Sequence, residues 1–191
     1  KATFTHPASL LKNWNGLPDP AEAAPAVIKR YLSAYGPATP KTFDAWLSRN
    51  SNKKSTLRSW FASLGEQIVE VRVEGETRYL LAEHEDELAA TRPSRATHLL
   101  GAFDQFVLGP GTKDTHMLAH EHRPLVSKAA GWIAPVLTQG GRITGVWEMD
   151  DGNLVVTPFP GEQAPPSQVL EDAAARLAAV HGLVKVTPRV G

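Results

Sequence analysis

Between Ala26 and Leu81 the spacing of apolar residues switches from helical to alternating, and the switch dictates what this segment can fold into. Val27, Tyr31, Leu32 and Tyr35 recur at helical spacing. They predict a first helix from about Pro25 to Tyr35, stopped by Gly36-Pro37. Thr39-Pro40 reads as a helix start, with Thr as the cap and Pro at the first helical position. Phe43, Trp46 and Leu47 give that second helix its apolar face. A third helix, about Ser55 to Leu64, is expected to bury Leu57, Trp60, Phe61 and Leu64 and to end at Gly65. From Ile68 to Val73 apolar and charged residues alternate, Glu74-Gly75-Glu76 turns the chain, and Thr77 to Leu81 returns as a second strand. Three short helices followed by a hairpin form a winged helix-turn-helix. Such a unit either lays its third helix in a DNA groove or serves only as a packing module.

The rest of the chain divides around this unit. Residues 1–24 hold Pro7, Pro18 and Pro20 with little periodicity and read as an extended lead-in pinned by Phe4 and Trp14. The winged helix occupies 25–82, and 83–96, acidic and then containing Pro and Arg, read as a linker. Over 97–191 the pattern is β-rich. Leu99 to Leu108 is an apolar strand or helix interrupted by Asp104, and His116 to Ala130 is helical for part of its length. Trp132–Leu137, Arg142–Met149 and Leu154–Phe159 are strands joined at Gly140-Gly141 and at Asp150 to Asn153. Ser167 caps a helix running to His181, with Val169, Leu170, Ala173, Leu177 and Val180 on one face and Gly182 at its end. Leu183 to Thr187 is the last strand. The predicted fold class is α+β: a winged helix-turn-helix, then a small antiparallel β-barrel-like domain with a C-terminal helix.

Composition narrows the function. Lys plus Arg and Asp plus Glu both number 20, so the 191-residue chain has no net charge. A dedicated DNA binder usually carries a basic excess, because neutralising phosphates supplies most non-specific affinity. With no Cys, disulfides and thiolate zinc sites are excluded. No apolar run reaches membrane-spanning length, so the expectation is a cytoplasmic protein without membrane association. The first residue is Lys1 rather than Met, which suggests a processed or truncated product. There is no Gly-x-Ser-x-Gly, no phosphate-binding glycine loop and no dinucleotide fingerprint, and nothing calls for a cofactor.

The candidate site is basic. Lys53, Lys54, Thr56 and Arg58 surround the start of the third helix, where backbone amides and cations together favour phosphate. Arg49 lies on the turn leading in, Arg78 on the returning wing strand, Lys113 in a later loop, and Arg142 at a hairpin tip able to reach a phosphate or a minor groove. Glu74 and Glu76, at the wing tip, carry the wrong sign for DNA. The alternative is that these charges are merely solvated on a structural winged helix. His116 and His120 would share a helical face as zinc ligands do, but no third ligand completes the set, so no metal site is assigned. Asp104 reads as a structural acceptor ahead of a site carboxylate, because a buried carboxylate is costly unless paired.

Two blocks carry a family resemblance. RYLSAYGPATPKTFDAWL (Arg30–Leu47), and then LLGAFDQFVLG (Leu99–Gly109), His122, GWIAPVLTQGGRITGVWE (Gly131–Glu148) and VVTPF (Val155–Phe159), resemble in order and spacing the bacterial winged-helix proteins that include the AlkZ/YcaQ-type DNA glycosylases. The resemblance covers nearly the whole chain. It implies tandem winged helices joined to a small β-barrel, double-stranded DNA as partner, and removal of alkylated or crosslinked bases. Catalysis in that family depends on a Gln-x-Gln or Gln-x-Asp motif near the N-terminus of a longer protein. Here the glutamines are Gln67, Gln105, Gln139, Gln163 and Gln168, and none has Gln or Asp two places on. No catalytic residue is therefore carried over. Where the family has a basic Lys-Asp-Arg stretch after Gly109, Lys113-Asp114 is kept and Thr115 stands for the arginine.

The expectation is a monomeric DNA-binding protein, resembling the C-terminal portion of a repair glycosylase whose catalytic motif lies outside this chain. The competing reading is a non-catalytic winged-helix transcriptional regulator or structural interaction module.

Overall fold

The computed structural model describes residues 3–150 and 152–191. It is a mixed α+β fold in two compact units. One holds the chain up to Asp44 together with Asn50–Glu85, and the other holds Ala45–Arg49 and Asp86–Gly191.

The first unit is built from α1 (Pro20–Tyr35), the first part of α2 (Pro40–Ser48), which passes to the second unit from Ala45, and α3 (Lys54–Ala62), followed by β1 (Ile68–Val73) and β2 (Glu76–Leu81). Asp19 caps α1 by accepting the Ala21 amide at 2.8 Å. The helix thus starts at Pro20, earlier than expected, and carries Pro25 inside it. A proline this close to the N-terminus removes only one backbone bond, so it does not set the boundary. At α2, Thr39 Oγ1 accepts the Thr42 amide at 3.1 Å and Thr42 Oγ1 accepts the Thr39 amide at 3.0 Å. Two amides that the helix leaves without partners are thereby satisfied reciprocally. The hairpin runs in register from Ile68↔Leu81 to Val73↔Glu76. Its two-residue turn places Glu74 at φ 48° and Gly75 at φ 87°, the left-handed pair that suits the twist of a tight hairpin. Ala38 bridges to Tyr79, which adds a third extended segment to this small sheet.

Its core is Ile28, Tyr31, Leu32, Phe43, Leu57, Phe61, Leu64 and Leu81. Phe43 lies edge-on to Tyr31 and Phe61, with ring centroids 5.3 and 5.7 Å apart. Trp46 and Leu47, expected to face this core, are 40% and 43% exposed; α2 turns Phe43 and Asp44 inward instead. Phe4 is almost fully exposed, so it does not pin the lead-in, while Trp14 is half-buried and meets His6 edge-on.

The second unit contains α4 (Glu85–Ala90), largely inside the segment expected to be a linker, and then β3 (Thr97–Leu100), α5 (Gln105–Leu108), α6 (Arg123–Val126), β4 (Val136–Gln139), β5 (Arg142–Asp150), β6 (Asn153–Pro158), α7 (Ser167–His181) and β7 (Thr187–Val190). Its sheet order is β3-β4-β5-β6-β7. The first three pairings are antiparallel and the last, β6 with β7, is parallel, so the sheet is not the purely antiparallel one expected. With β3 and β7 at its edges it stays open, a half-barrel rather than a closed one. One face packs Leu137, Leu154 and Val156 against Leu170, Ala173, Ala174 and Ala178 of α7. The other gathers Val107, Leu118, Val126, Val136, Ile143 and Phe159. Trp147 ties the sheet together by donating from its indole N–H to the Leu100 carbonyl at 2.8 Å.

Several local expectations change here. Ser167 is the first residue of α7 rather than its cap, which falls at Pro166. The buried stripe of α7 centres on its alanines, leaving Val180 at the margin and 79% exposed. Asp104 is neither in a strand nor inside a helix. It caps α5, accepting the Phe106 amide at 2.8 Å, so its charge has a local structural use. His116 is not helical, so the face it would have shared with His120 is never formed.

Candidate nucleic-acid interface

α2, α3 and the hairpin enclose an open groove of about 930 Å³ in the first unit. Leu57, Phe61, Ile68 and Tyr79 form its apolar floor, and its walls carry Lys41, Lys54 and Arg58 together with Asp44, Glu70 and Glu76. Lys54 and Arg58 come together because they are four apart on α3, one turn along the same face. Lys41 joins them from the first turn of α2.

The signs look balanced, but the partners are not. Asp44, 3% exposed, accepts from the Asn52 side-chain amide at 2.6 Å. Glu76 holds Arg78 at 2.9 Å. Glu70 accepts the Tyr79 hydroxyl at 3.2 Å. Each groove carboxylate thus has an internal partner. Lys41, Lys54 and Arg58 are exposed, and none is ion-paired or hydrogen-bonded through its side chain among the described residues. A polyanion entering the groove meets three cations without ion pairs, one carboxylate compensated by Arg78, and two carboxylates, Asp44 and Glu70, held only by neutral hydrogen-bond donors. Burial, first, and then the hydrogen bond and charge of Glu70 push the Tyr79 phenol above the ordinary tyrosine value, so at neutral pH it stays a donor.

The other expected residues are placed differently. Lys53 caps α3 through its backbone only, and with Thr56 it lies on that helix outside the groove lining. Arg78 has a side chain only 12% exposed, held by Glu76 and reaching the Pro37 carbonyl at 3.4 Å, so it is committed to organising the hairpin. Arg49, Lys113 and Arg142 belong to the second unit. Arg49 has a left-handed φ of 56° just past α2. Lys113 is exposed in the turn closed by Asp114 N–H to the Gly111 carbonyl. Arg142 is exposed beside Gly140 and Gly141, whose φ values of 57° and 79° build the β4–β5 turn. Lys41 was missed by sequence reasoning: it lies thirteen positions before Lys54, and only the packing of α2 beside α3 makes them neighbours. No group of three or more His, Cys, Asp or Glu able to hold a metal occurs among the described residues. No helix among them is long and apolar enough to cross a membrane.

The family described as DNA glycosylase AlkZ-like matches residues 2–180. An interstrand DNA cross-link repair glycosylase of Streptomyces sahachiroi is 53% identical over all 191 residues, which span 52% of its own length. The solved structure of the Streptomyces sahachiroi DNA glycosylase AlkZ superposes with a TM-score of 0.90 at 53% identity, covering 93% of this chain and 48% of that one. The chain therefore spans about half the length of the relatives it matches. With the fold, the family match and both relatives in agreement, the chain belongs to the AlkZ-like DNA glycosylase family.

Proposed function

We propose that this chain is the DNA-binding portion of a repair glycosylase acting on alkylated or crosslinked bases in double-stranded DNA. The observation that carries this reading is the groove of the first unit, where three cations lack partners while the carboxylates beside them are engaged. In it, residues 25–82 are a winged helix and α3 is the helix laid against the duplex. Lys41, Lys54 and Arg58 neutralise phosphates, with Lys53 and Thr56 at the start of the same helix. Arg49, Lys113 and Arg142 offer further backbone contacts from the second unit, residues 97–191, and the chain acts as a monomer. Glycosylase chemistry directs an activated water at the sugar–base bond. The carboxamide or carboxylate pair it needs is supplied by residues other than these 191.

The test is a duplex titration at rising salt, with base release measured in parallel. Affinity should fall steeply between low and moderate salt, because bound phosphates release counterions. An alkylated duplex should lose no base to this chain alone, whereas a longer protein containing it and a Gln-x-Gln or Gln-x-Asp motif should release base. Flat or absent duplex binding would refute the DNA reading, and base release by the 191-residue chain would refute the assignment of catalysis elsewhere. A transcriptional regulator would instead prefer one undamaged sequence over all others, which competition with random duplex would show.

A further inference from the structure

A second surface, wholly within the β-rich unit, combines exposed aromatic rings, an unpartnered lysine and left-handed backbone. Phe103 is 42% and Trp132 52% exposed, yet they pack on each other edge-to-face with centroids 5.0 Å apart. Phe106, one turn of chain beyond Phe103, is 39% exposed as well. Both segments hold their rings on backbone that side chains rarely adopt. Phe103 itself has φ 58°, and Ala130, two residues before Trp132, has φ 56°. Such strain persists only where the surroundings over-determine it, and it gathers at binding sites.

The loop carrying Trp132 is closed at its base. Ser127 bridges to Ile133, and the Lys128 amide donates to the Trp132 carbonyl at 2.8 Å. This fixes Lys128, exposed and without a side-chain partner among the described residues, at the root of the turn that presents the indole. From Arg123 to Ala134 the chain has no acidic residue. The one carboxylate on the facing segment, Asp104, is occupied capping α5. Exposed rings beside an unpaired lysine match what an unstacked nucleotide presents, a π-face and a phosphate. A hydrophobic protein partner would use the rings but leave the lysine without purpose.

We infer that Trp132 and Phe103 form a stacking platform for an unpaired base, with Lys128 holding the adjoining phosphate. The assignment rests on the DNA-binding reading and adds to it a preference for DNA containing an unstacked nucleotide.

The experiment compares a fully paired duplex with the same duplex carrying a single-base bulge, both end-labelled and titrated with the 191-residue chain by fluorescence anisotropy. The parent should prefer the bulged duplex. Trp132→Ala should reduce that preference by about tenfold, the weight of one base–aromatic stack, with affinity for the paired duplex unchanged. Trp132→Phe keeps a π-face and should retain most of the preference, which separates stacking from a folding defect. Lys128→Gln should weaken binding to the bulged duplex and flatten its salt dependence. Binding to both duplexes with no preference, unaltered by Trp132→Ala, would overturn the platform while leaving the DNA reading intact. Binding to neither would overturn both. A self-association lost on Trp132→Ala, with bulge preference unaffected, would assign the surface to a second copy of the chain and overturn the inference.

Discussion

Replacing Lys41, Lys54 and Arg58 by Gln, singly and together, tests the groove quantitatively. All three side chains are exposed and lack ion pairs, so each is free to neutralise one phosphate. Every phosphate neutralised on B-form DNA contributes about 0.9 to the slope of log affinity against log salt. Three such contacts make about 2.7 of slope, so their removal should lessen the affinity lost between 50 and 200 mM salt by roughly 40-fold. Each single variant should remove about one third of that slope. The assay is anisotropy of a labelled duplex at four or more salt concentrations, with each variant's folding checked by thermal melting. Arg78→Gln is the internal control. Its guanidinium is already held by Glu76 and mostly buried, so it should leave the slope unchanged while lowering the melting temperature. A triple variant with the parent's slope would show that phosphates do not enter this groove. An Arg78 variant that lost slope would show that the exposed cations were misidentified.

Two further outcomes follow from local geometry. At Gly145 an added Cβ would lie 2.6 Å from the Thr157 carbonyl oxygen and 2.9 Å from Pro158 Cα, both backbone atoms, so Gly145→Ala must force β5 and β6 apart. It should cost about 1–3 kcal/mol, read as a lower denaturant midpoint, and an unchanged midpoint would contradict the close approach. The Tyr79 phenol titrates above its ordinary value, chiefly through burial and then through Glu70. A raised folded value means that this contribution to stability is complete below about pH 10 and is lost as pH rises through the folded value. The ultraviolet difference titration between the parent and Tyr79→Phe should place that phenol above the ordinary range, and a midpoint at the ordinary value would refute the assignment.

What could be read in the sequence was whatever short-range chemistry decides. Thr39-Pro40 announced α2 because the capping hydroxyls lie within three residues of the amides they satisfy. Alternation announced β1 and β2, and Gly140-Gly141 announced the β4–β5 turn, because both signals lie in the strand or turn itself. The misses depended on distant partners. Asp104 looked like a charge embedded in an apolar run until β3 and α5 separated around it. Val180 sits in register with an apolar face, but the sheet lies against the alanines beside it. The last strand, expected over Leu183 to Thr187, forms over Thr187–Val190, because its position is fixed by β6 rather than by its own residues. In the groove, Lys54 and Arg58 were legible from their spacing on one helix, whereas Lys41, and the engagement of the neighbouring carboxylates, required the tertiary structure. The exposed Phe103–Trp132 pair was hidden for the same reason, since twenty-nine positions separate two rings that touch.

The parallel pairing of β6 with β7 has a consequence for how this unit is assembled. A parallel partner cannot arrive through a hairpin. The chain must leave β6, form α7, dock it on the sheet and only then lay down Thr187–Val190. During synthesis, therefore, the outer row of amides and carbonyls on β6 stays uncovered until these late residues emerge. For that interval a buried apolar strand, with Leu154 and Val156 in its middle, is an open template for pairing with any other extended chain. Four residues that contribute little to the apolar core thus act as a closure against aggregation. Shortening the chain before Thr187 should raise the insoluble fraction during expression more than it lowers the stability of the molecules that fold.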